Sequence, residues 1–190
     1  MDAPPASAED VLPSPHPRPA DFGPYGRMLL YVSEFIATLG GLAFVALVIM
    51  SLISIVGRKL FSMPVPGDME VLMMVAAGAS ATFFAYCHLE GGDVKVDFFT
   101  AKAHPRTILL LDAIASLLVG LFGALIAWRS TVGALSLQEA GETSAILGWP
   151  VWIAQLAMTP GFVLLALAGF YMAFMCWRAR ARVLRKGAPA

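Results

Sequence analysis

Long apolar runs dominate the pattern of hydrophobic and polar positions along the chain. Four runs, at about residues 29–56, 71–89, 107–128 and 150–177, are long enough to cross a membrane, because roughly 30 Å of hydrocarbon needs about 20 helical residues. Backbone groups left unpaired in lipid are costly, so such segments form helices. The pattern predicts an all-α integral membrane protein with four transmembrane helices, in one domain over residues 27–178.

The ends of the chain lack this apolar character. Residues 1–26 are rich in proline and contain no apolar stretch that could form the core of a signal peptide. We expect a disordered cytoplasmic tail there, followed by an uncleaved first span that targets the chain to the membrane. Residues 179–190 are expected to form a basic cytoplasmic tail.

Basic residues predict the orientation, because Lys and Arg in short loops are retained on the cytoplasmic side. One face of the predicted topology, with both tails and the second loop, collects ten of the thirteen basic residues. The other face has only Arg58, Lys59 and Arg129. Both termini are therefore predicted to be cytoplasmic, and Arg129 is placed at the extracytoplasmic end of the third span.

Composition agrees with a lipid environment. Apolar residues make up 58% of the chain and charged residues 14%, whereas ordinary soluble domains have about 45–50% and about 25%. Basic and acidic residues number 13 each, so no net charge points to nucleic acid. We expect membrane lipids, and not nucleic acid, among the partners.

The residues needed for catalysis or metal binding are sparse. The three histidines lie in the first tail or near the second loop, which excludes the paired intramembrane histidines of a di-haem cytochrome. Two isolated cysteines make no metal-ligand spacing, and the sequence has no His-Glu-x-x-His run or phosphate-binding glycine loop. We predict no enzyme, no cofactor, and no catalytic, cofactor-binding or metal-binding residue.

Two carboxylates within the spans, Glu34 and Asp112, are candidates for coupling transport to an ion. Ionisable residues deep in the bilayer are costly and mark function. Each of the two, however, lies within a turn or two of the end of its predicted span. We interpret both as interfacial carboxylates, and the pattern leaves open whether either is buried.

Small residues recur in every span and predict close helix packing, because they let helix backbones approach each other in lipid. The spacing leaves open whether they pack internally or against a partner. Pro160 interrupts the fourth span and predicts a kink there. The small residues concerned are Ala37 and Gly41, Ala76–Ala81, Gly120 and Ala124, and Gly169 and Ala173.

The segment from Gly57 to Asp97 carries the most specific pattern, with charges and turn residues at both ends of the second span. Its prolines and Gly67 force a compact turn, and a carboxylate at a helix N-terminus is stabilised by the helix dipole. Arg58 and Glu70 flank this turn. Their positions raise the hypothesis of a salt-linked extracytoplasmic corner that fixes the angle between the first two spans.

This pattern resembles the small, DctQ-like membrane subunit of the tripartite ATP-independent periplasmic (TRAP) transporters. The resemblance covers about residues 29–177, and its specific part lies between residues 57 and 97. Asp93 stands where the family commonly has histidine, so a role that needs an imidazole does not carry over. Gly57 matches the family pattern. The other matching positions, which are our candidates for structural or partner-interface residues, are Arg58, Pro64, Glu70, Gly91, Gly92, Val96 and Asp97.

The resemblance implies a subunit of the bacterial inner membrane without a substrate site of its own. In the family, a periplasmic substrate-binding protein delivers an organic acid to a large permease subunit, which carries the substrate and sodium sites. The small subunit scaffolds the large one and helps dock the binding protein. The residues themselves leave two other functions open: a scaffold or sensor subunit of another complex, and a small self-assembling antiporter.

Overall fold

The computed structural model describes residues 22–61, 66–92 and 105–186 and has four helices and no strand in them. Each helix is long and apolar enough to cross a membrane. The predicted fold class, an all-α membrane protein with four transmembrane helices, is confirmed. The helices are α1 (Pro24–Phe61), α2 (Asp68–Glu90), α3 (Pro105–Ala140) and α4 (Val151–Lys186).

All four helices are longer than the spans predicted for them, α2 by the least. α2 has 23 residues, whereas α1 has 38 and α3 and α4 have 36 each. At a rise of about 1.5 Å per residue, α2 is about 35 Å long and the others are about 54–57 Å long. Among the four, α2 matches the thickness of the hydrocarbon core most closely, and its length provides a scale for depth in the bundle.

The long helices also extend into the segments expected to be tails. α1 begins at Pro24, inside the predicted tail of residues 1–26, since proline is favoured in the first turn of a helix. Phe22, just before it, is buried against Tyr171 of α4, with ring centroids 5.4 Å apart. α4 continues to Lys186, well into the predicted basic tail.

The helices pack as a row in the order α1, α2, α4, α3. α3 runs antiparallel along one side of α4, α2 packs on another side of α4, and α1 packs mainly on α2. α1 touches α4 only slightly, near the chain's N-terminal end, where the Gly23 N–H donates a hydrogen bond to the Tyr171 hydroxyl at 3.3 Å. α1 and α3 are therefore the two edge helices, and α4 lies inside the row.

Glycines form the closest helix contacts. A Cβ atom built on Gly169 of α4 would lie 2.5 Å from the backbone nitrogen of Gly120 in α3. One built on Gly161 of α4 would lie 2.5 Å from the carbonyl oxygen of Ala81 in α2. The sequence left open whether such residues pack internally or against a partner, and the structure shows that these glycines pack internally.

In α1 the close internal contact is made by Gly40, and a role for Gly41 against a partner stays a prediction. Gly40, rather than Gly41, lies against α2, where a Cβ atom would meet the carbonyl oxygen of Ala79 at 3.0 Å. The nearest atom to a Cβ at Gly41 is 4.0 Å away. Neighbouring residues point about 100° apart around a helix, and an apolar helix without charged residues gives no clear signal for choosing between them.

Pro160 lies inside a continuous α4, and the kink predicted at this proline stays a prediction.

The contacts between α3 and α4 keep the same register along the two helices. Gly123 rests on Ala166, where a Cβ atom would lie 2.9 Å from the backbone nitrogen, and Gly133 rests on the side chain of Gln155. Arg129 lies between the two glycines and therefore opposite the middle part of α4. The predicted topology placed Arg129 at the end of the third span, but α3 continues for eleven residues beyond it, to Ala140. The helix is therefore longer than the predicted span, and the placement of Arg129 relative to the membrane stays a prediction.

Candidate functional site: the corner between the first two helices

Gly67 makes the turn into α2 possible. Its φ of 72° is left-handed, a conformation that glycine adopts without the strain other residues suffer. A Cβ atom there would also lie 2.6 Å from the side chain of Leu147. Pro64 of the same turn lies outside the described residues, so its predicted structural role stays a prediction.

Asp68 fastens α1 to α2. The Ser54 hydroxyl donates a hydrogen bond to Asp68 Oδ2 at 2.5 Å, and Asp68 Oδ1 accepts the backbone N–H of Met69 at 2.8 Å. Arg58 Nη2 lies 3.5 Å from the same Oδ2, but its side chain is 56% exposed. An exposed ion pair contributes at most about 1 kcal/mol, whereas a hydrogen bond to a charged group contributes about 1.5–3 kcal/mol. Ser54, which is fully buried, is therefore the stronger partner.

Glu70 binds the loop between α3 and α4 and does not pair with Arg58. Its Oε1 accepts the N–H of Ile146 at 2.9 Å, and its Oε2 accepts the N–H of Leu147 at 3.1 Å. The predicted pairing of Arg58 with Glu70 is therefore wrong. The reason is geometric: Asp68 faces α1, and a residue two positions later points about 200° further around the helix.

The loop that Glu70 binds is itself tightly closed. α3 ends at Ala140, just before Gly141, whose φ is 65°, and Ser144 closes the turn that follows. Its N–H donates to the Trp149 carbonyl at 2.8 Å, and its hydroxyl accepts the Trp149 N–H at 3.3 Å. Ile146 and Trp149 are 66% and 51% exposed. The loop thus presents two large apolar side chains from a fixed backbone.

At the opposite end of α2, Gly91 and Gly92 end the helix as the sequence indicated. Gly91 has a φ of 72°, and the N–H groups of Gly91 and Gly92 donate to the carbonyls of His88 and Cys87 at 3.3 and 2.9 Å. The predicted interface residues Val96 and Asp97, and Asp93 with them, lie outside the described residues.

Two of the larger cavities among the described residues open beside α4. One, of about 440 Å³, has an almost wholly apolar lining from α1, α2 and α4. The other, of about 470 Å³, is lined by Glu70, Ser130 and Gln155 together with methionines and other apolar residues. Within the described part of the chain, no group of three His, Cys, Asp or Glu side chains could hold a metal ion. The cavities therefore offer apolar contact surface and a few hydrogen-bonding groups.

Residues 47–180, from the middle of α1 almost to the end of α4, match the family described as Tripartite ATP-independent periplasmic transporters, DctQ component. The chain belongs to the DctQ family. It is the small permease component of a TRAP transporter, and the family is one of transporter components rather than of enzymes. No curated protein and no solved structure matches this DctQ chain.

The positions of two further carboxylates bear on how this DctQ protein works. Glu34 is exposed on α1, and Asp112 is half-buried on α3, with one carboxylate oxygen covered.

Ser54 and Asp68, which form the link between the two helices at the corner, were not predicted from the sequence. A signal for Ser54 existed, because it precedes Arg58 by one helical turn and so shares its face. The contacts of Glu70 had no such signal, since backbone amides carry no sequence pattern.

Proposed function

We propose that this DctQ protein is a static scaffold. It holds the large permease subunit and helps dock the periplasmic substrate-binding protein during sodium-coupled uptake of an organic acid, a carboxylate. Backbone-to-backbone packing between its helices carries the proposal. Ala81, Ala85 and Ala168 are at most 1% exposed, and contacts this close leave no room for helices to slide during a transport cycle.

The charged groups of the described helices support the same function. Ionisable side chains mark ion and substrate pathways when they line the inside of a membrane protein. Glu34 and Arg129 are exposed on the edge helices. Glu70 lines a cavity, but both of its oxygens already accept N–H groups from the loop. A substrate or sodium ion therefore finds no free carboxylate in this cavity.

The corner and the loop support a docking role. Glu70 joins α2 to the loop, and Asp68 joins α2 to α1, so two helices and the loop between α3 and α4 are held together at this end of the bundle. Exposed Ile146 and Trp149 are the apolar groups that a partner could cover. A rigid surface binds with a smaller loss of conformational entropy than a mobile one.

Reconstitution in vesicles tests this function. The purified chain alone, in vesicles with and without a sodium gradient, should take up none of a panel of labelled dicarboxylates and sugar acids. Uptake should require a large permease subunit and a periplasmic binding protein of the same transporter. Vesicles with the large subunit but without this chain are the control. Sodium-driven uptake by this chain alone would refute the scaffold.

The proposed orientation has both termini in the cytoplasm and the corner outside the inner membrane. A reporter active only in the periplasm should be silent when fused after Ala190 and active when fused after Gly67 or Gly141. The excess of basic residues in the tails and the second loop is the physical reason. The opposite pattern would place the corner in the cytoplasm, away from any periplasmic partner.

A further inference from the structure

Arg129 lies deep in the bundle. The register between α3 and α4 places it opposite Pro160, and the next residue of α4, Gly161, rests on Ala81 in α2. Arg129 is thus about 18 Å from the start of α2 and about 15 Å from its end, measured along the helix axis. Since α2 is about as long as the hydrocarbon core is thick, this depth is close to the middle of the membrane.

A position at the membrane surface would contradict the packing of the other helices. If Arg129 were level with the lipid headgroups, the first half of α2 and the adjoining part of α1 would project into water. The exposed side chains there are large and apolar, among them Met73 of α2 and Leu52 and Ile53 of α1. Water is the wrong environment for such a surface, so the deep position is favoured.

The side chain of Arg129 points away from its own bundle. Residues Ala127, Ser130 and Ala134 form the buried side of α3 toward α4, and Arg129 is exposed on the other side. Leu125 and Val132, one turn before and after it, are exposed there too. In the described part of the chain, no carboxylate forms an ion pair with it. We call this surface of Leu125, Arg129 and Val132 the Arg129 face.

A guanidinium at this depth needs an anion or a set of hydrogen-bond acceptors, because arginine stays charged and lipid tails contain neither. We propose that the Arg129 face is the contact surface for the large permease subunit, and that a membrane helix of that subunit presents a carboxylate to Arg129. Arginine and carboxylate form two parallel hydrogen bonds, which would fix the register of the two subunits. This inference rests on the proposed scaffold function and names the surface that performs it.

Substitution of Arg129 gives the first test. The chain should be co-expressed with the large permease subunit of its transporter, and the complex recovered in mild detergent. Arg129→Leu should lower recovery of the complex at least tenfold, because it leaves the partner's carboxylate buried without its pair. Arg129→Lys should lower it less. The Arg129→Leu chain purified alone should unfold at the same temperature as the wild type, which excludes a folding defect.

Photo-crosslinking gives the second test. A photoreactive amino acid in place of Leu125 should capture the large permease subunit. Leu42 is the matched control, because it is similarly exposed, 68% against 59% for Leu125, and lies at a similar depth on α1. A probe there should capture lipid.

The outcomes separate this inference from the scaffold function. Lipid or a second copy of the chain at Leu125, or full recovery of the Arg129→Leu complex, would overturn the inference while the scaffold stands. Failure of the wild-type chain to co-purify with any large permease would overturn both.

Discussion

The two edge helices, α1 and α3, occupy equivalent places in the row but have different outer surfaces. Residues 35–57 of α1 contain no charged side chain, a run of about 35 Å that matches the hydrocarbon core. In α3 the uncharged run that follows Asp112 is broken at Arg129, after about 24 Å. α1 also buries less of its most apolar stretch than α3 does, 17% against 28%. The difference indicates that lipid suits the outside of α1, whereas the outside of α3 needs a polar partner.

The largest effect is expected where α3 joins the row. Gly169→Leu forces a side chain into the backbone of Gly120 and should lower the free energy of unfolding by about 3 kcal/mol, because such packing has no slack. Gly41→Leu on α1 is the control, since its surroundings are open, and should change stability by less than about 0.5 kcal/mol. Unfolding of both variants in detergent measures the difference. Equal losses of unfolding free energy would mean that the two substituted positions are packed equally tightly.

A further large effect is expected when a charge is added to the other edge helix, α1. Leu42→Arg puts a cation on the outer face of α1 at a depth similar to that of Arg129. It should cost about 2.5–3.5 kcal/mol of insertion free energy, the usual penalty at the centre of a membrane helix. An insertion assay and the amount of protein in the membrane fraction measure the effect. Normal abundance of the Leu42→Arg chain would show that α1, like α3, is covered by protein.

At the corner, the hydrogen bonds of Glu70 and the ion pair of Arg58 should contribute differently to stability. Glu70→Ala removes both hydrogen bonds to the loop that follows α3 and should cost about 2–3 kcal/mol. Arg58→Ala removes only an exposed ion pair next to α1 and should cost at most about 1 kcal/mol. Thermal unfolding and complex recovery measure both variants. A larger loss for Arg58→Ala would mean that the corner depends on the ion pair rather than on the loop.

The smallest effects are expected at the carboxylates outside these contacts. Glu34→Gln and Asp112→Asn should leave sodium-coupled uptake by the complete transporter within about twofold of the wild type, equivalent to about 0.4 kcal/mol. Uptake measured over a range of sodium concentrations checks this. Loss of the sodium dependence in Asp112→Asn alone would assign coupling to this chain and contradict the scaffold.

The sequence was sufficient to predict the four helices, their family and the two glycine-marked ends of α2. It failed where a signal depends on the rotation of an apolar helix. Gly40 and Gly41 are neighbours in a stretch of α1 without charged residues, so charge does not indicate which one meets α2. The pairing of Arg58 failed for a related reason, because charge alone does not distinguish Asp68 from Glu70.

The full length of α3 was not predicted, for a different physical reason. Hydropathy marks the uncharged run of a helix, and in α3 that run is broken at Arg129. A helix continues as long as its backbone hydrogen bonds and packing favour it, and α3 continues to Ala140 because α4 lies alongside. The row order also had no sequence signal, since α2 and α3 are neighbours in the chain while α4 lies between them in space.

That row order has a consequence for biosynthesis. The ribosome delivers the helices in chain order, so α1 and α2 can close their corner through Ser54 and Asp68 as soon as both are in the membrane. α3 emerges next, although its main packing surface, α4, has yet to be made. Until then α3 lacks its main packing partner, and Glu70 can bind its amides, 76 and 77 residues downstream, only once the loop before α4 has been made. The last helix to be synthesised therefore joins α3 to the rest of the row.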